Sequence, residues 1–541
     1  MRKRVLSILM VIVTSHFLFS QNTYDQVYNI FQTNCAFGYC HSNGSQVAGL
    51  DLQGSGANPQ SVVWNNLYNV NPTNSFATSK GYKRIYPGDP YRSSLFRKIN
   101  HGMDDFISLD PSEGSNMPSL ELKDREKELI RQWILFGSPD TGNVVDTTLI
   151  GQYYDGYGVD GITSRPNPPH VDSGFQIKVG PFFLYANEEN EYYYKYPLDN
   201  DSIEVNKIFS DLGQTYSHHL IIYRFITPDT SYDYGFRENN AHANVDIVTA
   251  HQETETISLP KGTAFAWGEH TVLDLNTHYI NYHPSKVLKC ENYINVHTQP
   301  KNTALHEMNS ELHANTLIYI PNDSTDYTFT QPLFDPANTE NIYVWSMYSH
   351  THQWGKDYDV WMRNPNGSKG DKVYDASFMN GDPNGVQIGY DYQHPPTRRW
   401  EYPFLTTAVN EGLIHEAVYN NTGPNDVTFG LTSDDEMMVF VLMYVEDTTG
   451  LGNVLSNIPQ TGDLDIANVY PNPSSRLFHF RLNKIAKNTV LKVFDLSGKM
   501  LFSKGLIYGE TCTVSTPSNG LFIYKIEQDG EALKTGKLIA Y

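Results

Sequence analysis

Histidine is the side chain best suited to holding a transition metal at neutral pH, and along this 541-residue chain it is unevenly spread: 12 of the 19 fall between His218 and His352. Tyr348-Ser349-His350-Thr351-His352 follows the strand pattern IYVWSMY. On a strand, residues i and i+2 point the same way, so both imidazoles can converge on one ion. His218 and His219 stand next to each other before a second strand pattern, Leu220 to Phe225. Neighbours on a strand face opposite sides, so this pair can share an ion only at a strand end or a bulge. Taken alone, either pair is as readily structural as ligating.

A second chemistry is written near the N-terminus as Cys35-Ala-Phe-Gly-Tyr-Cys40-His41. Two thiols and an adjacent imidazole are what covalent c-type haem requires, the thiols to bond the porphyrin and the ring to reach the iron. The usual spacer of two residues is four here, and a plain Cys35–Cys40 disulfide is the competing reading. Downstream lie Met117, in Ser115-Asn116-Met117-Pro118, and the helical pattern Leu122 to Phe136. Together these features resemble the cytochrome c-like domains of exported bacterial redox proteins. The resemblance implies c-type haem on Cys35, Cys40 and His41, with Met117 as the opposite axial ligand and Met103 as the alternative.

The order of the whole set, His218-His219, then Asn276-Thr277-His278-Tyr279, then His350-Thr351-His352, then Asp434-Asp435-Glu436-Met437, resembles the copper type II, ascorbate-dependent monooxygenases, the family of dopamine β-monooxygenase and peptidylglycine hydroxylating monooxygenase. The resemblance implies two coppers per chain: an electron-transfer ion on His218, His219 and His278, and a catalytic ion on His350, His352 and Met437. A thioether favours Cu(I), and zinc rarely takes one. The implied reaction hydroxylates a C–H bond of a small-molecule or peptide substrate with dioxygen, drawing electrons from ascorbate, another reductant or the fused haem domain. A non-catalytic copper and haem electron carrier is the alternative. Where the peptide-amidating branch holds a substrate carboxylate, this chain has Tyr348, Val439 and Val441. That disfavours peptidylglycine and suggests an apolar wall.

These groups need elements to hold them. Aromatics make up 13% of the chain with 37 Tyr, charged residues only 18%, and Gly and Pro number 39 and 29, which favours strands and turns over helical bundles. The expected fold class is multidomain and mainly β: a small α-helical cytochrome c-like domain at 21–139, a linker at 140–172, two tandem β jelly-roll sandwiches at 173–300 and 301–447, a linker at 448–465, and a β-sandwich sorting domain at 466–541. Residues 1–20, with Arg2, Lys3 and Arg4 before an apolar run, read as a signal peptide. Removing its three cations leaves 36 Lys plus Arg against 60 Asp plus Glu, a charge of −24 that excludes a nucleic-acid partner. No later segment is expected to span a membrane. In the tail, VYPNP from Val469, the central FDLSGK and the closing GLFIYKI and KLI resemble the type A sorting domain of the type IX secretion system of Bacteroidetes. This implies the secretion machinery as partner and a secreted or cell-surface address.

Overall fold

The structure, a computed structural model, describes residues 22–541 other than 214–216, 227–231, 239–243, 334–340, 409–410, 431, 453–466, 473, 483–487, 496–497, 509 and 529–530; the side chains of residues 218, 468, 531 and 532 are also undescribed. The signal peptide and most of the second linker lie outside the described residues. The fold is mainly β, with 43% strand and 15% helix, in agreement with the composition. The chain divides into two compact units near Thr449.

Among the described residues of the first unit, the α-helices, from Thr23–Asn34 to Thr147–Gln152, come before residue 153. The longest apolar pattern becomes helix Asp124–Leu135. The Glu126 carboxylate accepts from the Lys123 amide at its start, and Gly137, in the left-handed region at φ 85°, ends it. From Lys127 to Leu135 the helix is buried on every side, so its charges there are paired: Lys127 meets Asp124 and Glu121, and Arg131 meets Glu128 and Asp104. Around it pack Val27, Phe31, Leu67, Phe96 and Ile99, and Phe183 and Val287 of the neighbouring sandwich join the same core.

The segment 140–172, expected as a linker, carries regular elements between Thr147 and Asp160. Asp146 caps a short helix, Thr147–Gln152, and Gly158–Asp160 adds a parallel strand to Val287–Gln299. Its Gly and Asp content, read as linker chemistry, serves caps and turns. The helical region is seated on the sandwich through buried polar bonds as well. Lys178 lies 3.0 Å from Asp104 and 3.1 Å from Glu291, the Tyr91 hydroxyl donates to the Gly180 carbonyl, and the Gln132 amide donates to the Pro181 carbonyl. Gly88 makes the seam possible, because a Cβ there would stand 2.4 Å from the Gly235 nitrogen.

Beyond it the first sandwich faces a seven-stranded sheet against a five-stranded one. The five-stranded sheet carries the first histidines, on Ser217–Phe225 and Val272–Ile280, both paired at its centre. The second sandwich sets a five-stranded sheet, with Ile342–His350 beside Val439–Val445, against a four-stranded one. Burial alternates along the tail strands, as in Thr489–Phe494, which marks one face against a core of Phe478, Phe480, Leu491 and Ile526. LKVFDLSGKML, written in sequence as one pattern, is a hairpin of Thr489–Phe494 and Met500–Gly505.

Candidate functional site

The first histidine pair is built by strand register. His219 and His278 are direct cross-strand partners, with ring centroids 4.9 Å apart. The next pairing is Tyr279 with Ser217, so the register skips His218. That bulge is the irregularity an adjacent His-His pair needs to serve one ion. The His218 side chain lies outside the described residues.

Each ring is oriented by a polar neighbour. His278 Nε2 donates to Glu189 Oε1 at 2.8 Å. His219 Nε2 meets two acceptors, Asn276 Oδ1 at 2.9 Å and Glu191 Oε1 at 3.3 Å. With the proton drawn to Nε2, Nδ1 is the nitrogen a metal would take. Glu189 also accepts from the Ser433 hydroxyl at 2.8 Å. Burial alone would raise its pKa, but the His278 and Ser433 hydrogen bonds bring it down to about 2, so the carboxylate stays charged.

The second pair comes from a strand end. His350 closes the strand opposite Val439, His352 lies two residues on, and their rings are 5.1 Å apart. His352 Nδ1 donates to the Asp435 carbonyl at 3.0 Å, so Nε2 is the nitrogen a metal would take. The Gln252 side-chain NH2 donates to His350 Nδ1 at 3.0 Å. Burial lowers the His352 pKa and so favours the neutral ring that metals bind. Met437 is joined to this pair by Glu436, whose Oε2 accepts from both the His352 amide, at 2.8 Å, and the Met437 amide, at 2.9 Å. Glu436 is fully buried, which pushes its pKa up to about 7.

The two pairs meet. His219 and His350 have ring centroids 6.3 Å apart. Beside them Tyr348, Val439 and Val441 pack with Ile247, Ile221 and Ala250 of the first sandwich. The apolar wall read at those three positions is therefore the seam between the sandwiches, filled by the other sandwich's strands. Sequence reasoning missed Glu189, Glu191 and Gln252, and gave no role to Asn276, Ser433 and Glu436, which stand in the motifs. The signal for two of them was present, because Glu189 and Glu191 alternate on a strand paired with that of His278.

In the helical region, Cys35, Cys40, His41 and Met117 line one cavity of about 650 Å³, with Phe31, Leu52, Leu67 and Ile130 among its apolar walls. No disulfide joins the thiols. Burial, with Cys40 and Glu126 nearby, pushes the Cys35 thiol up to about 12. His41 Nδ1 lies 3.3 Å from the Leu50 carbonyl, which directs the proton to Nδ1, so Nε2 is the nitrogen a metal would take. Met103 lies elsewhere, packed on the helical core with the Tyr154 hydroxyl 3.8 Å from its sulfur.

Residues 468–540 match the family model described as Secretion system C-terminal sorting domain. The protein is thus secreted or displayed at the cell surface, with the type IX secretion machinery as a partner. Among the described residues no helix is long and apolar enough to cross a membrane. A search of curated proteins finds no match. Among solved structures the chain is similar to the β-D-glucuronidase of Dictyoglomus thermophilum, at 10% identity and TM-score 0.13 over 42% of this chain and 43% of that one. It is also similar to PBCV-1 VP54 fitted into a reconstruction of the virophage Sputnik, at 8% identity and TM-score 0.22 over 52% and 95%, and to a Ruminococcus gnavus β-glucuronidase, at 10% and 0.12 over 40% and 34%. The chain spans less than half the length of the first of these, and TM-scores this low say nothing of activity.

Proposed function

We propose that this is an exported copper-dependent monooxygenase that hydroxylates a C–H bond and receives electrons through a c-type haem on its helical region. The observation that carries the reading is the tautomer pattern: His219, His278 and His352 each give one ring proton to a fixed acceptor. Structural histidines need no such agreement, whereas metal ligands use it to fix orientation and basicity. Copper, when bound, supplies the one-electron chemistry and the activation of dioxygen. The chain's own residues bind and orient. Glu189, Glu191 and Asn276 hold the first rings, and the Asp435 carbonyl holds His352. Glu436 ties the Met437 backbone to that of His352, so the soft thioether and the imidazole move together. Tyr419 anchors the same turn by donating to the Met437 carbonyl at 2.7 Å.

The haem half of the reading rests on the cavity. A porphyrin needs apolar walls, two thiols and an imidazole in the orientation His41 has, and the apolar rim includes Leu120, 86% exposed, and Tyr39, 83% exposed, which a ring seated there would help to cover. Met117 lines this cavity and Met103 packs elsewhere, so Met117 would be the methionine to hold a haem bound there. The helical region packs against the first sandwich, with Phe136 5.4 Å from Tyr192, so electrons would cross a fixed contact.

The closed seam favours one rival, a copper and haem electron carrier without a hydroxylated substrate. Metal and haem analysis of the full-length protein, followed by oxygen uptake with ascorbate and a mixture of candidate substrates, separates the two. A monooxygenase holds two coppers and consumes oxygen in a substrate-dependent way; a carrier only changes oxidation state; zinc alone or no metal overturns both.

A further inference from the structure

The four-stranded sheet of the second sandwich carries a cluster that the copper and haem reading leaves unused. On the strand Gly355–Arg363, Tyr358 and Val360 point into the core and are wholly buried, so Asp357 and Asp359 stand together on the opposite face. Asp375, at the end of Lys369–Asp375, is the direct cross-strand partner of Asp359. Like charges placed opposite each other destabilise a sheet. One oxygen from each of the three carboxylates lies within 4.8 Å of the others.

Only part of that charge is answered. Lys372 Nζ lies 2.7 Å from Asp359 Oδ2 and 2.8 Å from Asp375 Oδ2, and among the described residues it is the one cation paired with the cluster, which leaves three carboxylates against one ammonium. Asp359 is 8% exposed, and its other oxygen, Oδ1, is shielded from solvent and has no hydrogen-bond partner. A buried carboxylate oxygen without a donor is costly. Its two neighbours are held in place, since Ser377 donates from its hydroxyl to Asp357 Oδ1 at 2.9 Å and from its amide to Asp375 Oδ1 at 3.0 Å. The cluster thus offers preset oxygen donors, an excess of negative charge and one buried acceptor that no group of the chain satisfies.

We propose that Asp357, Asp359 and Asp375 form a calcium site, with Asp359 Oδ1 as its inner ligand and Lys372 as a tethered cation that the ion displaces. Oxygen donors without nitrogen or sulfur suit an alkaline-earth ion rather than copper or zinc. Oxygens up to 4.8 Å apart can all reach one calcium at about 2.4 Å, whereas magnesium asks for shorter bonds and keeps more of its water. The Lys372 side chain has a place to withdraw to, because its ammonium already lies 4.9 Å from the centre of the Trp361 ring. Export supplies the setting, since oxygen sites of extracellular modules hold calcium at roughly 0.1–1 mM. In calcium-free buffer the burial of Asp359 is a cost to folding, and the bound ion removes it.

The test uses full-length protein treated with EGTA and returned to calcium-free buffer. Terbium, which takes calcium sites, is added and excited through tryptophan, and calcium and magnesium are then added as competitors. The expected result is terbium emission that calcium removes with an apparent dissociation constant of roughly 0.1–1 mM, and a higher melting temperature in millimolar calcium. Trp361→Phe, two residues from Asp359 on the same face, should dim the emission and keep the calcium-dependent melting shift. Asp359→Asn, which keeps the shape, should weaken calcium binding by about tenfold, and Lys372→Met, which removes the competing ammonium, should strengthen it by roughly tenfold. If calcium neither displaces terbium nor raises the melting temperature of the parent, or acts equally on Asp359→Asn, the site is overturned. Emission undimmed in Trp361→Phe places the terbium elsewhere and overturns it too. Equal competition by magnesium overturns the choice of ion, and calcium affinity unchanged in Lys372→Met overturns the role of the lysine.

Discussion

On the proposed reading, the histidine seam and the thiol cavity would be two ways of preparing a protein for a metal. At the seam the donors come from distant segments, Ser217–Phe225, Val272–Ile280 and the turn after Ile342–His350, and His219, His278, His350 and His352 each meet a polar partner. Geometry there is set before any ion arrives. In the helical region the donors Cys35, Cys40 and His41 sit in seven consecutive residues, and what tertiary structure adds is an apolar volume of about 650 Å³. That site depends on its guest, since a large apolar ring would supply the burial the cavity lacks. The first site should thus fail by losing hydrogen bonds and the second by losing its covalent anchors.

The largest effects come from the donors themselves. Replacing both thiols, Cys35→Ala with Cys40→Ala, should abolish haem that survives denaturation when the protein is made with a c-type maturation system, while copper binding stays at two equivalents. His350→Ala should do the reverse, removing about one copper and leaving the haem untouched. Mass spectrometry of the intact chain and elemental analysis read both outcomes. A loss of haem in His350→Ala would mean that the two regions fold as one and that the contrast is wrong.

Next in size is the contact between the regions. Lys178 is 3% exposed and balances Asp104 and Glu291 at once. Burial alone would raise the Asp104 pKa, yet Lys178 and Arg131 hold it well below the carboxylate range. Lys178→Met leaves two buried carboxylates with one fewer cation, and removing one partner of such a network costs about 3–5 kcal/mol. Denaturant unfolding should show the helical region and the first sandwich weakened together. If only the helices lose stability, the seat is a weak contact and electron delivery across it needs another route.

Much of this was legible in the sequence, for physical reasons. Period-two patterns gave Leu477–Leu482 and the 3.6-residue pattern gave the helix Asp124–Leu135, because each buries one predictable face or stripe. The HxH pair announced itself by the same logic. Residues 140–172 misled because Gly, Asp and Pro report turns without saying whether the turns pack. Tyr348, Val439 and Val441 misled because a sequence shows that a wall is apolar and is silent on what leans against it. The partners across the seam, such as Gln252 to His350, are 98 positions apart and leave no local trace.

The ring-holding groups come third. Glu189→Gln keeps the shape and removes the charge that takes the His278 proton, and an outer partner of a ligating histidine is worth roughly 10–100-fold in metal affinity. Copper competition against a chelator should find that loss at one of the two sites. No comparable change is expected for haem retention. An unchanged affinity would place the orienting force in the strand register alone.

The smallest effect tests whether carboxylates at the seam differ from those elsewhere. Asp359, on the second sandwich with Asp357 and Asp375 beside it, shares Lys372 with Asp375 and is 8% exposed. Here burial outweighs the lysine and raises the pKa to about 6, where the same desolvation at Glu189 is overcome by His278 and Ser433 and the value falls to about 2. A carboxyl whose folded pKa lies above its unfolded value of about 3.9 binds more protons in the folded state between those two pH values. Stability must therefore fall as pH rises from about 4 to 6, with the whole penalty present above 6. Asp359→Asn cannot ionise and escapes that penalty. Its stability relative to the parent should shift in its favour by about 1–2 kcal/mol between pH 4.5 and 7.5, somewhat less than the full shift implies because part of the group is hydrated. Urea midpoints at the two pH values measure it. A difference that stays flat with pH would show that Lys372 neutralises Asp359 as fully as His278 and Ser433 hold Glu189, and the seam carboxylates would then be ordinary rather than tuned.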